Sequence, residues 1–196
     1  MNMDTFYDKQ WMDCDHSNSA YRNNLYISLV KMVTQPTSDA YIISSVKKGG
    51  VSAFDPTQRR VSGENFQTTQ FASTAVDNAG KLHVGFYGVE TNLTALYHSV
   101  STDGGMTFST PNRVSYFSGV MQANTITGIT SSRLYPSPYI VADKYSSAYG
   151  GNLYYVWSAR GIASVTSTAM RVYFSRSTNG GESWSTAKQI SPASAF

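Results

Sequence analysis

The amino-acid sequence predicts an all-β protein built from many short strands. Ser and Thr together account for 47 of the 196 residues, and 26 residues are aromatic. Hydroxyl-bearing and aromatic residues, with 15 Gly between them, are typical of short strands joined by turns. Charged residues make up only 14% of the chain, which argues against long salt-bridged helices and coiled coils. The 41% of hydrophobic residues excludes a disordered chain.

Internal repeats divide the chain into three units. Residues 14–29 (CDHSNSAYRNNLYISL) match residues 142–157 (ADKYSSAYGGNLYYVW) at seven of 16 positions, and a shorter copy, AVDNAGKLHVGF, begins at residue 75. Further along, residues 97–115 match residues 173–191 at nine of 19 positions. A unit therefore spans about 65 residues, and self-similarity at a fixed period is the signature of a repeat architecture.

Each unit predicts four strands, most clearly in the third unit. There, strands A to D are predicted at residues 137–142, 152–158, 170–176 and 188–191. Such small sheets cannot bury both faces alone, so the units must pack against one another. Repeating four-stranded antiparallel sheets are the blades of a β-propeller. We therefore predict a single propeller region over residues 1–196, with three blades at 8–62, 67–115 and 133–191.

Two predicted hairpin turns carry a family motif. STDGGMTF, at residues 101–108, resembles the Asp-box (S-x-D-x-G-x-T-W/F) of sialidase-like BNR-repeat proteins, and STNGGESW, at residues 177–184, resembles it with Asn179 in place of Asp. DKQWMDCD, from residue 8, resembles the opening of a blade in the same family. The resemblance covers nearly the whole chain and implies part of a six-bladed sialidase-like propeller.

The Asp-box is expected to be structural. Its Asp accepts backbone N–H groups within the hairpin, its Gly adopts an unusual dihedral angle, and its aromatic residue fills the space between sheets. In the family, this turn lies on the outer rim, away from the ligand face. The resemblance therefore implies a structural role for Ser101, Asp103, Gly105, Thr107, Phe108, Ser177, Asn179, Gly181, Ser183 and Trp184.

The opposite face is where a ligand site is expected, because loops from several blades converge there. Ionisable residues in or beside those loops are Asp4, Asp8, Asp39, Glu64, Glu90, Arg133 and Arg160. We select Asp8, Glu64, Glu90, Arg133 and Arg160 as candidate ligand-face residues. An aromatic lining for sugars could come from Tyr7, Trp11, Tyr87, Tyr116 and Tyr135, although packing between blades is the default interpretation for such residues.

The resemblance suggests a glycosidase, but the sequence does not contain the family's complete set of catalytic residues. Enzymes of the family remove sialic acids with three Arg that grip a carboxylate, a Tyr–Glu nucleophile and an Asp acid/base. The first Arg normally comes from an F/Y-R-I-P motif, and the nearest match here is SRLYPSP, where Arg133 is followed by one residue too many. We therefore assign no catalytic residue, and we expect the chain alone to be inactive.

Two functions remain open. The chain is either part of an exo-sialidase-type glycoside hydrolase, whose other catalytic residues lie in a longer parent protein, or a non-catalytic propeller that binds glycans or proteins. Divergent Asp-boxes without F/Y-R-I-P favour the second function. Three blades should not close into a ring, since propellers usually have about four to eight. The chain is therefore a fragment, an open arc, or half of a homodimer that completes a ring.

Other chemistry is less supported. His16, His83 and His98 lack metal-ligand spacing, and capping of a turn explains Asp15 better than cation binding does. The single cysteine excludes an internal disulfide framework, and neither a cofactor nor a metal is predicted. A net charge of +3 is too small to suggest nucleic acid.

Localisation follows from the resemblance alone, which implies a secreted, periplasmic or cell-surface protein. The first residues lack the layout of a signal peptide, and no stretch approaches the roughly 20 apolar residues that span a membrane.

Overall fold

The computed structural model of the chain describes residues 5–34, 38–91, 93–118, 135–162 and 169–192. Within these ranges the chain forms twelve β-strands and no helix. The strands build three antiparallel sheets of four strands each, and in each sheet the strands lie side by side in chain order. The prediction of an all-β protein made of four-stranded antiparallel blades is confirmed.

The three sheets follow one another along the chain. Blade 1 consists of β1 (Thr5–Cys14), β2 (Leu25–Val33), β3 (Asp39–Lys47) and β4 (Arg59–Arg60). Blade 2 consists of β5 (Thr68–Val76), β6 (Leu82–Glu90), β7 (Leu93–Ser101) and β8 (Asn112–Tyr116). Blade 3 consists of β9 (Tyr139–Ala142), β10 (Leu153–Ala159), β11 (Arg171–Ser177) and β12 (Lys188–Gln189).

The strands of blade 3 start close to the predicted positions, with one informative difference. Strand β9 begins at Tyr139, two residues later than the sequence predicts. The reason is Ser137, whose φ of 40° lies in the left-handed region and interrupts the extended backbone.

Blade 2 lies between the other two blades and is covered on both faces. Strand β6 is buried continuously from Leu82 to Gly88, whereas β10 of blade 3 alternates between buried and half-buried positions. One hydrophobic cluster joins blades 1 and 2 and includes Tyr26, Val30 and Phe86. A second cluster joins blades 2 and 3 and is built around Leu96, Tyr155 and Trp157. Continuous burial is expected of a strand with packed sheets on both sides.

The joint between blades 2 and 3 requires a glycine. A Cβ atom built on Gly85 would lie 2.5 Å from the Tyr155 hydroxyl, so any other residue would displace that ring. The same hydroxyl points at the carbonyl oxygens of Phe86 and Tyr97, each 3.5 Å away. Burial raises the pKa of Tyr155 well above its usual value, so the phenol stays neutral in this joint.

The outward faces of the two terminal blades carry exposed apolar side chains. On blade 1, Tyr7 and Met12 are 47% and 57% exposed, and their strand partners place them on the face turned away from blade 2. On blade 3, Val141 and Val172 are 42% and 37% exposed on the corresponding outer face. Blade 2, in contrast, presents neither face to solvent.

The Asp13 carboxylate, near the C-terminal end of β1, connects all three blades. Asp13 Oδ1 accepts a hydrogen bond from the backbone N–H of Cys14 at 2.8 Å, and Oδ2 accepts one from the N–H of Val76 in blade 2 at 2.8 Å. The Lys144 ammonium of blade 3 donates to both carboxylate oxygens, at 2.8 and 2.7 Å. Both side chains are largely shielded, since Lys144 is 20% and Asp13 is 23% exposed.

Replacing Asp13 should loosen the contacts between blades. We expect Asp13→Ala to lower the free energy of unfolding by about 1–3 kcal/mol, because the Val76 N–H and the Lys144 ammonium both lose their acceptor. Lys144→Met is the matched variant, since it removes only the cation, and it should cost less. Urea denaturation at pH 7 measures both values. Equal losses in the two variants would contradict a bridging role for the carboxylate.

Candidate functional site

We call the first strands of the three blades, β1, β5 and β9, the inner strands. A shared backbone feature recurs at equivalent positions in or just before them. Lys9, Phe71 and Ser137 have positive φ values of 53°, 58° and 40°. Each lies six residues before the repeated Asp of its unit, which is Asp15 in the first unit. In β1 and β5, this residue falls where the register with the neighbouring strand shifts, as in a β-bulge. Strained backbone of this kind clusters at functional sites.

A cavity of about 330 Å³ lies where these positions meet. We call it the channel cavity, and its lining residues are Asp8, Lys9, Gln10, Trp11, Phe71, Ser137, Pro138 and Tyr139. Its walls therefore come from the inner strands of blades 1 and 2 and from the residues that lead into blade 3. A cavity built by several blades around a common centre is the usual form of a ligand site.

Aromatic side chains form one part of the channel cavity. The rings of Trp11 and Tyr139 meet edge to face, with centroids 5.2 Å apart, and remain 44% and 43% exposed. Phe71 packs against Tyr135, with centroids 5.0 Å apart, and stacks on Tyr87 at 5.9 Å. Exposed aromatic rings fixed by a partner offer flat apolar surface to a ligand at little entropic cost.

One ion pair supplies the charge in the channel cavity. The Lys9 ammonium contacts the Asp8 carboxylate and also lies 4.9 Å from the centre of the Phe71 ring and 5.3 Å from that of Tyr135. Both charged side chains are partly exposed, Lys9 by 25% and Asp8 by 30%. The cavity therefore presents a hydrogen-bond acceptor and a donor side by side, beside an aromatic wall.

Two other predicted residues meet in a different place. Glu64 and Glu90 both line a cleft of about 340 Å³ between blades 1 and 2, formed by residues 60–66, Glu90 and residues 108–111. Arg60 lies in the same cleft, where its Nε donates to the Gly63 carbonyl at 2.6 Å and its guanidinium lies 4.3 Å from the centre of the Tyr41 ring. We call this the rim cleft.

The remaining predicted ionisable residues do not complete a single constellation. Asp39 lies 3.5 Å from Arg60 Nη2, beside the rim cleft. Arg160 directly follows β10, and its backbone N–H donates to the Ser118 carbonyl at 3.3 Å. Arg133 and Asp4 lie outside the described residues. Of the predicted ligand-face residues, Asp8 thus lines the channel cavity, and Glu64 and Glu90 line the rim cleft.

A Tyr–Glu neighbourhood is present near the rim cleft, but it is unsuited to nucleophilic chemistry. Burial raises the pKa of Tyr97 well above its usual value, and the nearby Glu90 carboxylate raises it further. Tyr97 is only 2% exposed and packs against Phe66, with ring centroids 4.6 Å apart. A phenol that is neutral and enclosed cannot attack a substrate.

The first Asp-box turn is held by the carboxylate of Asp103. Its Oδ1 accepts from the backbone N–H of Met106 and Thr107, at 3.0 and 2.9 Å, and from the Ser101 hydroxyl at 2.7 Å. Its Oδ2 accepts from the Thr107 hydroxyl at 2.6 Å. Burial raises the pKa of Asp103, but these hydrogen bonds outweigh it and lower the pKa to about 2. Two glycines with positive φ, Gly104 and Gly105, complete the turn.

The second Asp-box turn reproduces this pattern with an amide. Asn179 Oδ1 accepts from the Ser183 N–H at 3.0 Å and from the Ser177 hydroxyl at 2.8 Å, while its Nδ2 donates to the Ser183 hydroxyl at 2.9 Å. Gly181 and Trp184 of this turn lie against blade 2, where a Cβ atom on Gly181 would come within 2.4 Å of His98 Nδ1. The turn thus also closes the joint between blades 2 and 3.

Residue type alone does not identify several of the cavity residues. Lys9, Phe71 and Tyr139 were not selected, because a Lys, a Phe or a Tyr in a predicted strand has no special meaning alone. The repeat alignment does contain one signal, because Lys9, Phe71 and Ser137 each lie six residues before the repeated Asp. Of the aromatic candidates, Trp11 lines the channel cavity and Tyr135 packs beside it, whereas Tyr87 is 2% exposed. Tyr7 hydrogen-bonds with Gln58 instead, and Tyr116 lies against Arg113.

Metal and membrane features are not found in the described part of the chain. It contains no group of three or more His, Cys, Asp or Glu side chains that could hold a metal ion. Asp13 and Asp15, which are separated by one residue, have other contacts, since Asp13 binds Lys144 and Asp15 caps a turn by accepting the Ser17 N–H at 2.7 Å. None of the described residues forms a helix long and apolar enough to cross a membrane.

Comparison with known proteins supports the fold. The sequence matches no protein-family model and no curated protein. Among solved structures, it resembles a protein of unknown function from Dyadobacter fermentans (13% identity, TM-score 0.53), covering 93% of this chain and 58% of that one. It also resembles a Hadza microbial sialidase (14% identity, TM-score 0.61; 91% of this chain and 36% of that one). A third match is an α-L-arabinanase from Penicillium chrysogenum complexed with arabinobiose (12% identity, TM-score 0.52; 92% and 44%).

These similarities support the fold of the chain. The sialidase and the arabinanase are β-propeller glycoside hydrolases, and the three sheets of this chain are blades of the same kind of fold. The chain spans between about a third and three fifths of the length of the three structures. At 12–14% identity, the likeness concerns the fold alone.

The two Asp-box turns allow a direct test of the Asp103 carboxylate. We expect Asp103→Ala to lower the free energy of unfolding at pH 7 by about 1–2 kcal/mol, because the N–H groups of Met106 and Thr107 lose their acceptor. Asp103→Asn should cost less, because Asn179 already holds the equivalent turn. Chemical denaturation of both variants measures the difference.

The same variants have a predicted pH dependence. Because the pKa of Asp103 falls from 3.8 to about 2 on folding, its contribution is present above pH 4 and is lost as the pH falls towards 2. Asp103→Asn should therefore lose less stability than the wild type between pH 4 and pH 2. An identical acid dependence in both proteins would show that the carboxylate is not held as described.

Proposed function

We propose that this chain is part of a β-propeller that binds a glycan in the channel cavity. The observation that carries the proposal is the exposed Trp11–Tyr139 pair, which stands beside Asp8 and Lys9 in a cavity walled by three inner strands. Sugars combine apolar C–H faces with many hydroxyl groups. Aromatic rings suit the C–H faces, and an adjacent carboxylate and ammonium suit the hydroxyls as acceptor and donor.

The strained backbone supports the same location. Positive φ values at non-glycine residues are costly, by about 1–3 kcal/mol each, and persist where the surrounding structure holds them. Here they recur in all three units at the wall of one cavity, at Lys9, Phe71 and Ser137. The rim cleft lacks this feature among its described residues and carries two carboxylates with an arginine, which makes it the weaker candidate for a neutral sugar.

A second candidate function is part of an exo-glycosidase whose remaining catalytic residues are supplied by a longer parent protein. It is favoured by the similarity to a sialidase and to an arabinanase. Glycoside hydrolysis usually requires two carboxylic acids, and Asp8 is the single one among the described residues that line the channel cavity. Fluorogenic sialosides and arabinosides, offered to the chain and to the longest protein that contains it, test this function. A secreted, periplasmic or cell-surface location belongs to either proposal, and cell fractionation tests it.

Removal of the aromatic wall should abolish most of the glycan binding. We expect Trp11→Ala to weaken binding at least about tenfold, because the ligand loses its stacking surface. Sialyllactose and arabino-oligosaccharides are suitable first probes for calorimetry, after a glycan array has identified those that bind. Tyr145→Ala is the matched control, because Tyr145 is 83% exposed and lies outside the channel cavity.

Two results with the variants would contradict the proposal. One is wild-type affinity in Trp11→Ala, and the other is an equal loss in Tyr145→Ala. If a glycan array shows no binding at all, the proposal of glycan binding is rejected as well. The second candidate function is then tested separately, by the fluorogenic substrate assay.

A further inference from the structure

The ammonium of Lys9 lies at a point where groups from all three units of the chain meet. It contacts the Asp8 carboxylate of blade 1, and it lies 4.9 Å from the ring centre of Phe71 in blade 2. It also lies 5.3 Å from the ring centre of Tyr135, in the segment that leads into blade 3. Aromatic rings within about 6 Å attract a cation, and a carboxylate accepts its N–H groups. We call Asp8, Phe71 and Tyr135 the ammonium subsite.

The rings of the ammonium subsite are fixed, whereas the group inside it is not. Phe71 packs on Tyr135 in front and stacks on the buried Tyr87 behind, and Tyr87 in turn meets Phe117 edge to face. Lys9, in contrast, has a flexible four-carbon side chain that is 25% exposed. A partly exposed ion pair is held weakly. The ammonium can therefore leave the subsite for water without disturbing the rings.

The backbone holds Lys9 in this place in a costly conformation. Its φ of 53° lies in the left-handed region, at the bulge where the register between β1 and β2 shifts. Such a conformation persists where the surrounding structure holds it. From the bulge, the side chain reaches from blade 1 to rings of the other two units. Lys9 thus occupies a place that is built to bind a cation.

We propose that the channel cavity binds a glycan that carries free amines, and that Lys9 occupies the ammonium subsite until the glycan displaces it. The inference rests on the proposed glycan function and specifies the class of its ligand. An ammonium group of the glycan replaces that of Lys9 beside Asp8, and the adjoining sugar ring stacks on Trp11 and Tyr139, which line the same cavity. The exchange forms and breaks no covalent bond.

An acidic glycan fits the channel cavity less well. Lys9 is the single cation among the described residues that line the cavity, and it is already paired with Asp8. A ligand carboxylate would have to separate this pair and then lie close to the Asp8 carboxylate, which repels it. A ligand ammonium exchanges one cation for another, so the charge of the subsite stays balanced.

The tethered ammonium of Lys9 also makes the cavity selective. Because it is attached beside the subsite, it competes with a ligand at a high effective concentration. A small amine without a sugar ring gains no contact beyond those that Lys9 already makes, so it is excluded. An amino sugar gains the surface of Trp11 and Tyr139 in addition. Lys9 thereby favours ligands that fill both parts of the cavity.

Two oligosaccharides that differ only in their amines test the class of ligand. Chitosan tetrasaccharide has free amines, whereas its fully N-acetylated counterpart has the same sugar rings without the charge. At about pH 6 such amines are protonated. We expect calorimetry to show that the full 196-residue chain binds the free-amine form at least about threefold more tightly. Equal affinities, or no binding of either form, would overturn the inference. The proposed glycan function would still stand if another glycan binds and Trp11→Ala abolishes that binding.

Removal of the competing ammonium should strengthen this preference. We expect Lys9→Met to raise it to at least about tenfold, because the subsite is then open in every molecule, while the acetylated form binds about as before. Asp8→Asn should weaken binding of the free-amine form. Lys188→Met is the matched control, because Lys188 is exposed in β12 and its loss changes the net charge equally. Weaker binding of the free-amine form to Lys9→Met, or an equal gain in Lys188→Met, would overturn the inference.

A measurement on the wild-type chain does not depend on whether the variants fold. Ring currents of Phe71 and Tyr135 should shift the side-chain CH₂ signal next to the Lys9 ammonium away from those of exposed lysines in carbon–proton correlation spectra. Saturation with chitosan tetrasaccharide should return this signal to the range of exposed lysines. A signal that keeps its shift at saturation would show that Lys9 stays in the subsite, and it would overturn the inference. So would tighter binding of trilysine than of the tetrasaccharide.

Discussion

The carboxylate of Asp13 is the interaction on which the arrangement of the three blades depends. Adjacent blades pack through apolar side chains, and such packing has little directional preference. Asp13 adds direction, because it lies near the C-terminal end of β1 and accepts hydrogen bonds from the Val76 N–H of β5 and from the Lys144 ammonium, two residues after β9. The three inner strands are thereby held at fixed heights relative to one another. The channel cavity above them depends on that alignment, since its wall combines Trp11 of β1 with Tyr139 of β9.

Much of the fold could be predicted from the sequence because its units repeat. Two alignable copies of the same turn place Asp15 and Asp143 at the ends of equivalent strands, and the Asp-box identifies the hairpin after the third strand. The candidate site could be predicted from the sequence only in part. Lys9, Phe71 and Ser137 adopt positive φ without being Gly or Asn, so no local residue preference announces the conformation. The rim cleft brings Arg60 of blade 1 to the same cleft as Glu90 and residues 108–111 of blade 2, and sequence spacing does not show such a meeting.

The two histidines illustrate the same limit. Their positions within strands predict a structural role, and both rings are indeed buried within blade 2. What the pattern could not contain is the packing of His98 against Gly181, because the Asp-box turn of Gly181 belongs to another unit, more than 80 residues away. Thus the Asp-box turn has two roles: it ends a hairpin within its own blade, and its Gly181 carbonyl accepts a hydrogen bond from Asn112 of the neighbouring blade at 3.0 Å. The close approach of Gly181 to His98 excludes a side chain at that position.

The bulge at Lys9 gives one strand two separate duties. On the C-terminal side of the bulge, Asp13 binds the other two blades. At the bulge and on its N-terminal side, Lys9 and Asp8 line the channel cavity. Because the bulge interrupts the register, a substitution on the cavity side of the bulge need not disturb the pairing on its C-terminal side. The same division recurs in β5 and before β9. A lineage of such proteins could therefore acquire new ligands by changing a few residues on the cavity side of the bulge, while the residues that hold the three blades together are inherited unchanged.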